Sequence, residues 1–349
     1  MHGGTQSGTQ SGSHDALHGA GDLNTNANEA AMHATLQGAA RRLEDQLALI
    51  LRGKPQVIRL VLTALFSGGH LLLEDVPGVG KTTLARALAG SLGLAFGRIQ
   101  CTADLMPADL IGVNVLDRAA GTFTLRTGPI FTELLLVDEI NRASPKTQSA
   151  LLEAMAERQV TLDGEHHRLP ERFTVIATQN PVDNHGTFAL PESQLDRFLF
   201  RASLGYPDAE IERDVLREAT RRPSLRSLAP VVDRAQVSAI ALAARQVFVE
   251  ESVLAYLHAL VLASRNAEGV LVGASTRAAL AWLEAARVYA WLEGRAFLTP
   301  GDVRALGVPL LAHRLRLRAA DVDLDTGSEL TLQQEATALH ILEGVPVPL

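Results

Sequence analysis

A single cysteine, Cys101, stands in 349 residues, so no disulfide can form within the chain, and such usage suits a reducing cytosol. With no base beside it in the sequence, Cys101 reads as a small apolar filler. Aromatic residues are scarce at 4%, with Ala and Leu plentiful, a composition that favours helices. No apolar run approaches the ~18 residues that a bilayer demands, so no membrane-spanning helix is expected. A basic stretch leading into an apolar one is missing from the N-terminal region, which argues against a secretory signal. A basic surplus is missing too. The formal net charge is −7, against the positive balance that nucleic-acid partners select. The pairs Arg41-Arg42 and Arg221-Arg222 read as solvated helix faces.

What is present is apolar material, 47% of the chain, in a length that suits two folded units. Residues 1–28 are rich in Gly, Ser, Thr, Gln and Asn and are expected to be a disordered tail; His2, His14 and His18 within it point to no metal site. From residue 30 to about 52, Leu36, Leu43, Leu47 and Ile50 recur at helical steps, and Pro55 opens a further helix. Short apolar runs then alternate with helices. The expected strands are His70–Glu74, Phe96–Gln100, Glu133–Asp138, Phe173–Thr178 and Phe198–Ala202. Runs such as Leu134–Val137 suit strands covered on both faces, hence an α/β domain of three layers around a mainly parallel five-stranded sheet, over 29–207. Beyond Pro207 the strand signals stop. Helices are expected near 208–221, 233–245, 250–266, 275–293 and 300–316, making 208–349 an all-α domain. Ser275 and Thr299-Pro300-Gly301-Asp302 mark two of the helix starts.

The sharpest local signal is Glu74-Asp75-Val76-Pro77-Gly78-Val79-Gly80-Lys81-Thr82-Thr83, after an apolar strand and opening a helix. Gly78 and Gly80 let successive backbone N–H groups turn inward onto phosphate oxygens, and the start of the helix adds its positive field. Lys81 can reach the outer phosphates, and the Thr82 hydroxyl can ligate Mg²⁺. The stretch Asp75, Val76, Pro77, Gly78, Val79, Gly80, Lys81, Thr82 and Thr83 is therefore the candidate loop for binding the phosphates of a nucleotide. One departure stands out: Asp75 occupies the place of the motif's first glycine.

Leu134-Leu135-Leu136-Val137 ends in Asp138-Glu139. A buried strand that delivers two carboxylates at its C-terminal edge sets them beside a phosphate loop. Asp138 would hold Mg²⁺, and Glu139 would polarise the attacking water. The next strand ends at Gln179-Asn180-Pro181, where the Asn180 amide could hydrogen-bond the terminal phosphate or the water; Asn before Pro is also ordinary turn chemistry. Arg197 and Arg277, the latter opening a helix of the second domain, are candidates to meet the charge that develops on a transferred phosphoryl group, from another subunit or domain.

In order along the chain, LEDVPGVGKTTLA (Leu73–Ala85), RIQCTADLMPADLIG (Arg98–Gly112), GPIF (Gly128–Phe131), VDEINRA (Val137–Ala143), PKTQSALLEAMAE (Pro145–Glu157), FTVIATQNP (Phe173–Pro181), ALPESQLDRF (Ala189–Phe198), GASTRA (Gly273–Ala278) and the terminal Val345–Val347 resemble the MoxR family of AAA+ ATPases. The likeness covers roughly 33–349. It implies that Gly78–Thr83 is Walker A, Asp138 and Glu139 Walker B, Asn180 sensor 1, Arg197 an arginine finger and Arg277 sensor 2 on a helical lid. Residues 101–131 would be the family's inserted helix and hairpin, which by sequence alone read as a long loop. The resemblance further implies a ring, most often a hexamer, and chaperone-like remodelling of protein clients, often ones with a von Willebrand factor A domain. Cys101 stands where an aromatic is common and Thr276 where proline is common.

Two other readings share the same core. One is a nucleic-acid motor, supported best by His313-Arg314-Leu315-Arg316-Leu317-Arg318, although alternate arginines do not share a helix face. The other is a nucleotide-gated binding module with little turnover. His166-His167 lies in a polar stretch that reads as a hairpin turn rather than a metal site.

Overall fold

The computed structural model describes residues 16–119, 121–180, 186–217, 228–318 and 327–348. Helix α1 (Ala16–Ile50) begins well before residue 30. Leu36, Ala39, Leu43 and Leu47 form a buried stripe along it. No proline interrupts the chain ahead of that stripe, so the helix extends back over residues 16–28 of the expected tail; residues 1–15 lie outside the described residues. Helix α2 (Pro55–Ser67) starts on its proline, where a missing N–H costs no hydrogen bond, and ends at Gly68 with φ 72°.

Then follow β1 (Leu71–Glu74), α3 (Lys81–Leu92), β2 (Phe96–Gln100), α4 (Pro107–Ile111), β3 (Gly112–Asp117), β4 (Thr122–Thr127), β5 (Leu134–Asp138), α5 (Pro145–Glu157), β6 (Gln159–Leu162), β7 (Glu165–Arg168), β8 (Thr174–Gln179), α6 (Glu192–Leu195) and β9 (Phe200–Ala202). The expected strands form one sheet in the order β2-β5-β8-β1-β9, with every neighbour parallel. Side chains alternate across it. Leu71, Leu73, Leu134 and Leu136 enter one core, and Leu72, Leu135 and Val137 the other, which is why these runs are apolar without a break. The 101–131 segment holds α4 and the β3–β4 hairpin, the latter leaving and re-entering at Gly112 and Gly128; a Cβ on either would strike the other's backbone or its neighbours'. His166 and His167 sit on β7, in a second hairpin with β6, and no group of three or more His, Cys, Asp or Glu among the described residues could hold a metal.

The C-terminal part comprises α7 (Ala209–Arg217), α8 (Arg234–Arg245), α9 (Glu251–Asn266), β10 (Val270–Val272), α10 (Thr276–Leu292), α11 (Pro300–Ala305), α12 (Gly307–Leu311), β11 (Arg316–Leu317) and α13 (Gly327–Gly344). Ser275 Oγ accepts the Ala278 N–H and Thr299 Oγ1 that of Asp302, capping α10 and α11. The all-α expectation needs correction: β10 and β11 pair antiparallel. The single helix expected over 300–316 is broken as well. Pro309 fits only the first turn of a helix, so a new helix starts at Gly307. No helix among the described residues is long and apolar enough to cross a membrane.

Candidate nucleotide site

After β1 the chain turns through Gly78 (φ 89°) and Gly80 (φ 103°) into the first turn of α3. A Cβ on Gly78 would meet nothing within 4 Å, so its requirement is conformational rather than spatial. Lys81 Nζ donates to the carbonyls of Asp75 (2.6 Å) and Val76 (3.1 Å). Burial pulls its ammonium below the ordinary lysine range, and the negative charges of Asp75, Asp138 and Glu139 oppose the shift. Lys81 thus feels both strand-end acids across the loop.

Asp75, directly after β1, is engaged by the segment after β9. Its carboxylate faces away from the loop's interior and accepts from Ser203 Oγ (2.7 Å), the Leu204 N–H and the Gly205 N–H (3.0 Å). A carboxylate turned inward would repel phosphate; turned outward, it ties the loop to the segment after β9. Pro77, Gly78, Val79, Gly80 and Thr83 line the cavity beside the loop.

The parallel register sets the remaining groups along one edge. Gln100 pairs with Asp138, and Glu74 with Gln179, so the carboxyl ends of four strands converge where such sheets take ligands. Asp138 Oδ2 accepts from Arg98 Nε at 2.7 Å. The Thr178 hydroxyl receives the Glu139 N–H (3.0 Å) and donates to Asp138 Oδ1 (3.4 Å). Glu139 has φ 57° and ψ 52°, a left-handed backbone that costs a glutamate energy and that clusters at functional positions. Its carboxylate is held by Gln100 Nε2 (3.0 Å) and Arg142 Nε (3.1 Å). Asn180 follows directly on β8, next to Gln179, whose amide donates to Glu74 at 2.6 Å; Pro181 lies outside the described residues. Cys101 is buried at the same edge. Burial first, then Asp138 and Glu139, push its thiol up to about 12, which suits a filler and not a nucleophile.

Sequence reasoning missed Arg98, Gln100 and Thr178 as partners of the acids. The signal was available: Arg98 and Gln100 are two apart on a strand and therefore share a face. It also missed a cavity of about 380 Å³ beside the loop, lined by Leu51, Lys54, Val79, Tyr206, Ile211 and Val215. Half-open and more apolar than polar, it has the character of a site for a nucleotide base. The oxygens of Thr82 and Asp138 are hard donors, and without a cage of three acidic or imidazole groups they fit a Mg²⁺ that shares its shell with phosphate and water.

Arg197 and Arg277 are not brought to this edge. Arg197 precedes β9, and the Leu199 N–H donates to the His70 carbonyl ahead of β1; both positions lie at the amino ends of parallel strands, opposite the phosphate loop. Arg197 and Arg277 share a separate groove of about 430 Å³ with His70, Arg158 and Arg314. The Ser275 hydroxyl donates to Asp196 Oδ2 at 3.3 Å, which joins the start of α10 to the Arg197 segment.

Residues 70–200 match the ATPase family associated with various cellular activities (AAA), and residues 262–334 match the AAA lid domain. The chain is 42% identical to the uncharacterised protein YeaC of Bacillus subtilis, over 87% of this chain and 93% of that one. It is 37% identical to the chaperone MoxR1 of Mycobacterium tuberculosis (85% and 81%) and 35% identical to the MoxR protein of Methylorubrum extorquens (84% and 92%). A crystal structure of a candidate ATPase from Cytophaga hutchinsonii superposes with a TM-score of 0.80 at 33% identity, over 94% of this chain and 99% of that one. A parallel sheet with its phosphate loop, followed by a helical lid, in a chain so related, belongs to the MoxR family of AAA+ ATPases.

Proposed function

We propose that this AAA+ ATPase binds Mg-ATP on the 75–83 loop, hydrolyses it, and uses the cycle in a homo-oligomeric ring, a hexamer, to remodel a protein client. The observation that carries the hydrolytic part is Glu139, in a strained backbone, its carboxylate held by Gln100 and Arg142 beside the Lys81 ammonium. Backbone amides of Gly78–Thr83 and Lys81 hold the phosphates, with Thr82 and Asp138 as the metal's protein ligands. A Mg²⁺ held there would neutralise phosphate charge. Glu139 accepts the proton of the attacking water as its oxygen bonds to the γ-phosphorus and the bond to the β-phosphate oxygen breaks, leaving ADP and phosphate. Asn180 donates to the terminal phosphate or the water.

Arg197 and Arg277 lie at the other end of the sheet, so each serves the nucleotide of an adjacent subunit; that requirement is the physical support for a ring. The word chaperone comes from the Mycobacterium relative, and clients with a von Willebrand factor A domain are the partner class that the family implies. The division into a tail (1–28), a nucleotide-binding domain (29–207) and a lid (208–349), and a cytoplasmic location, belong to the same reading.

The test is a pair of variants. Glu139→Gln keeps ATP binding and loses turnover by about 10²–10⁴-fold, whereas Lys81→Ala weakens binding itself. Wild-type turnover no faster than that of Glu139→Gln would replace hydrolysis with a binding switch. Pull-down with Glu139→Gln, held in its ATP-bound form, identifies the client.

A further inference from the structure

The arginine run 313–318 does not form a charged track. Arg316 is exposed, but the Arg314 guanidinium is 3% exposed and packs against the segment that carries Arg197. Its Nε donates to Asp196 Oδ1 (2.7 Å), Nη1 to the Leu199 carbonyl (3.0 Å) and to that of Leu310, and Nη2 to the carbonyls of Phe198 (2.6 Å) and Asp196 (3.3 Å). His313 Nε2 meets the same Phe198 carbonyl at 3.0 Å. One planar fork from the lid thus holds residues 196, 198 and 199, on both sides of Arg197. No lysine could reproduce these bonds, because a single ammonium has three donors on one nitrogen. Asp196 in turn accepts from Ser275, two residues before Arg277. A fully committed buried guanidinium is a costly device for a loop that needs only to turn.

We propose that Arg314 is a positioning residue for Arg197: through Asp196 and the neighbouring carbonyls it fixes the segment so that the Arg197 side chain is presented to the adjacent subunit's nucleotide at the angle set by the lid. The inference rests on the reading of Arg197 as a residue that acts on a neighbour. Any movement of the lid that pulls on Arg314 then withdraws Arg197 from the next subunit's site, so the state of one lid is felt at another subunit's phosphates.

Arg314→Lys and Asp196→Asn are compared with Arg197→Ala for kcat, KM, ATP binding, ring size and melting temperature. Both positioning variants should lower kcat about 10-fold or more, with KM and ATP binding within about 2-fold of wild type. Two readouts separate positioning from general damage. Mixed with Glu139→Gln subunits, either variant should regain turnover, because its own site is intact and the partner supplies an ordered Arg197. In an Arg197→Ala background, Arg314→Lys should cost less than about 2-fold more, since both act through one group. Where Arg314→Lys does not fold, Asp196→Asn decides. Wild-type turnover in Asp196→Asn, full additivity with Arg197→Ala, or no regain in mixed rings each overturns the positioning role while leaving that of Arg197 standing. Wild-type turnover in Arg197→Ala instead overturns the reading on which it rests.

Discussion

The two ends of the central sheet are built from different materials. The phosphate edge consists of backbone amides, a lysine and short acids at strand ends, placed by parallel register. The opposite face consists of long cations, Arg158, Arg197, Arg277 and Arg314, borne on loops and helix starts and braced by the lid. The first is a site that one chain can assemble. The second gathers positive charge around a groove at the end of the sheet away from the phosphate loop. The difference teaches that a residue's place along the sequence motif and its place in the reaction are separate questions: Arg197 stands 17 or so residues after Asn180, yet faces the other way.

Mixed assemblies break or sharpen this contrast most strongly. Alone, Arg197→Ala should lose about 10³–10⁵-fold in turnover with ATP binding intact. Mixed equally with Glu139→Gln, it should recover activity at roughly one interface in four, because each variant spoils a different half of a head-to-tail contact. Turnover that stays at the level of the separate variants would place Arg197 outside any shared site.

The next effect concerns Arg277. Arg277→Ala should fall about 10-fold or more in turnover, and mixing it with Arg197→Ala should give no recovery, since a single neighbour must supply both groups. Recovery in that mixture would mean that Arg277 acts on its own chain's nucleotide, against the shared groove.

A smaller effect lies at Asp75. Asp75→Ala leaves the Ser203, Leu204 and Gly205 donors without their acceptor and should cost about 2–4 kcal/mol of stability in urea unfolding. ATP affinity should change less than it does in Lys81→Ala. Undiminished stability with a large change in affinity would return the Asp75 carboxylate to the phosphates.

The smallest acts through His70, which joins the two ends, since it lines the arginine groove and leads into β1. It sits fully buried between the Met155 carbonyl and the Val175 N–H. Burial lowers it from 6.5 to about 4, with Arg158 adding to the shift and the Met155 carbonyl opposing it. Below pH 6.5 the unfolded chain binds a proton there and the folded chain does not. The contribution is therefore whole above 6.5 and is lost as pH falls toward 4, by about 1.4 kcal/mol per pH unit. Urea titrations at several pH values on wild type and His70→Gln check it; equal slopes in the two proteins would assign the acid lability elsewhere.

The five core strands were legible because burial on both faces demands apolar residues without interruption. The phosphate loop and the acid pair were legible because glycine, lysine and carboxylate chemistry is local. What escaped was written in long-range pairing. Arg316-Leu317 is too short to carry a strand pattern, and its partner Val270–Val272 lies far back in the chain. Helix α13 follows the last helix that periodicity had marked, and its buried Gln334 binds Arg201 and the Leu315 carbonyl, contacts that no spacing announces. Arg314 was hidden by its neighbours: read with Arg316 and Arg318 it is a charge run, and only the fold separates the buried one from the exposed.

The glycine pinch at the root of the β3–β4 hairpin has an architectural consequence. Gly112 and Gly128 bring the outgoing and returning backbones so close that neither admits a side chain, and the arm beyond them, with Phe123 at 70% exposure, touches the rest of the molecule through such contacts as Asn114 Nδ2 to Asp163 Oδ2. An appendage on so narrow a stem can be lengthened or trimmed with little strain on the sheet beneath it, because both of its backbones leave and re-enter the core at one point.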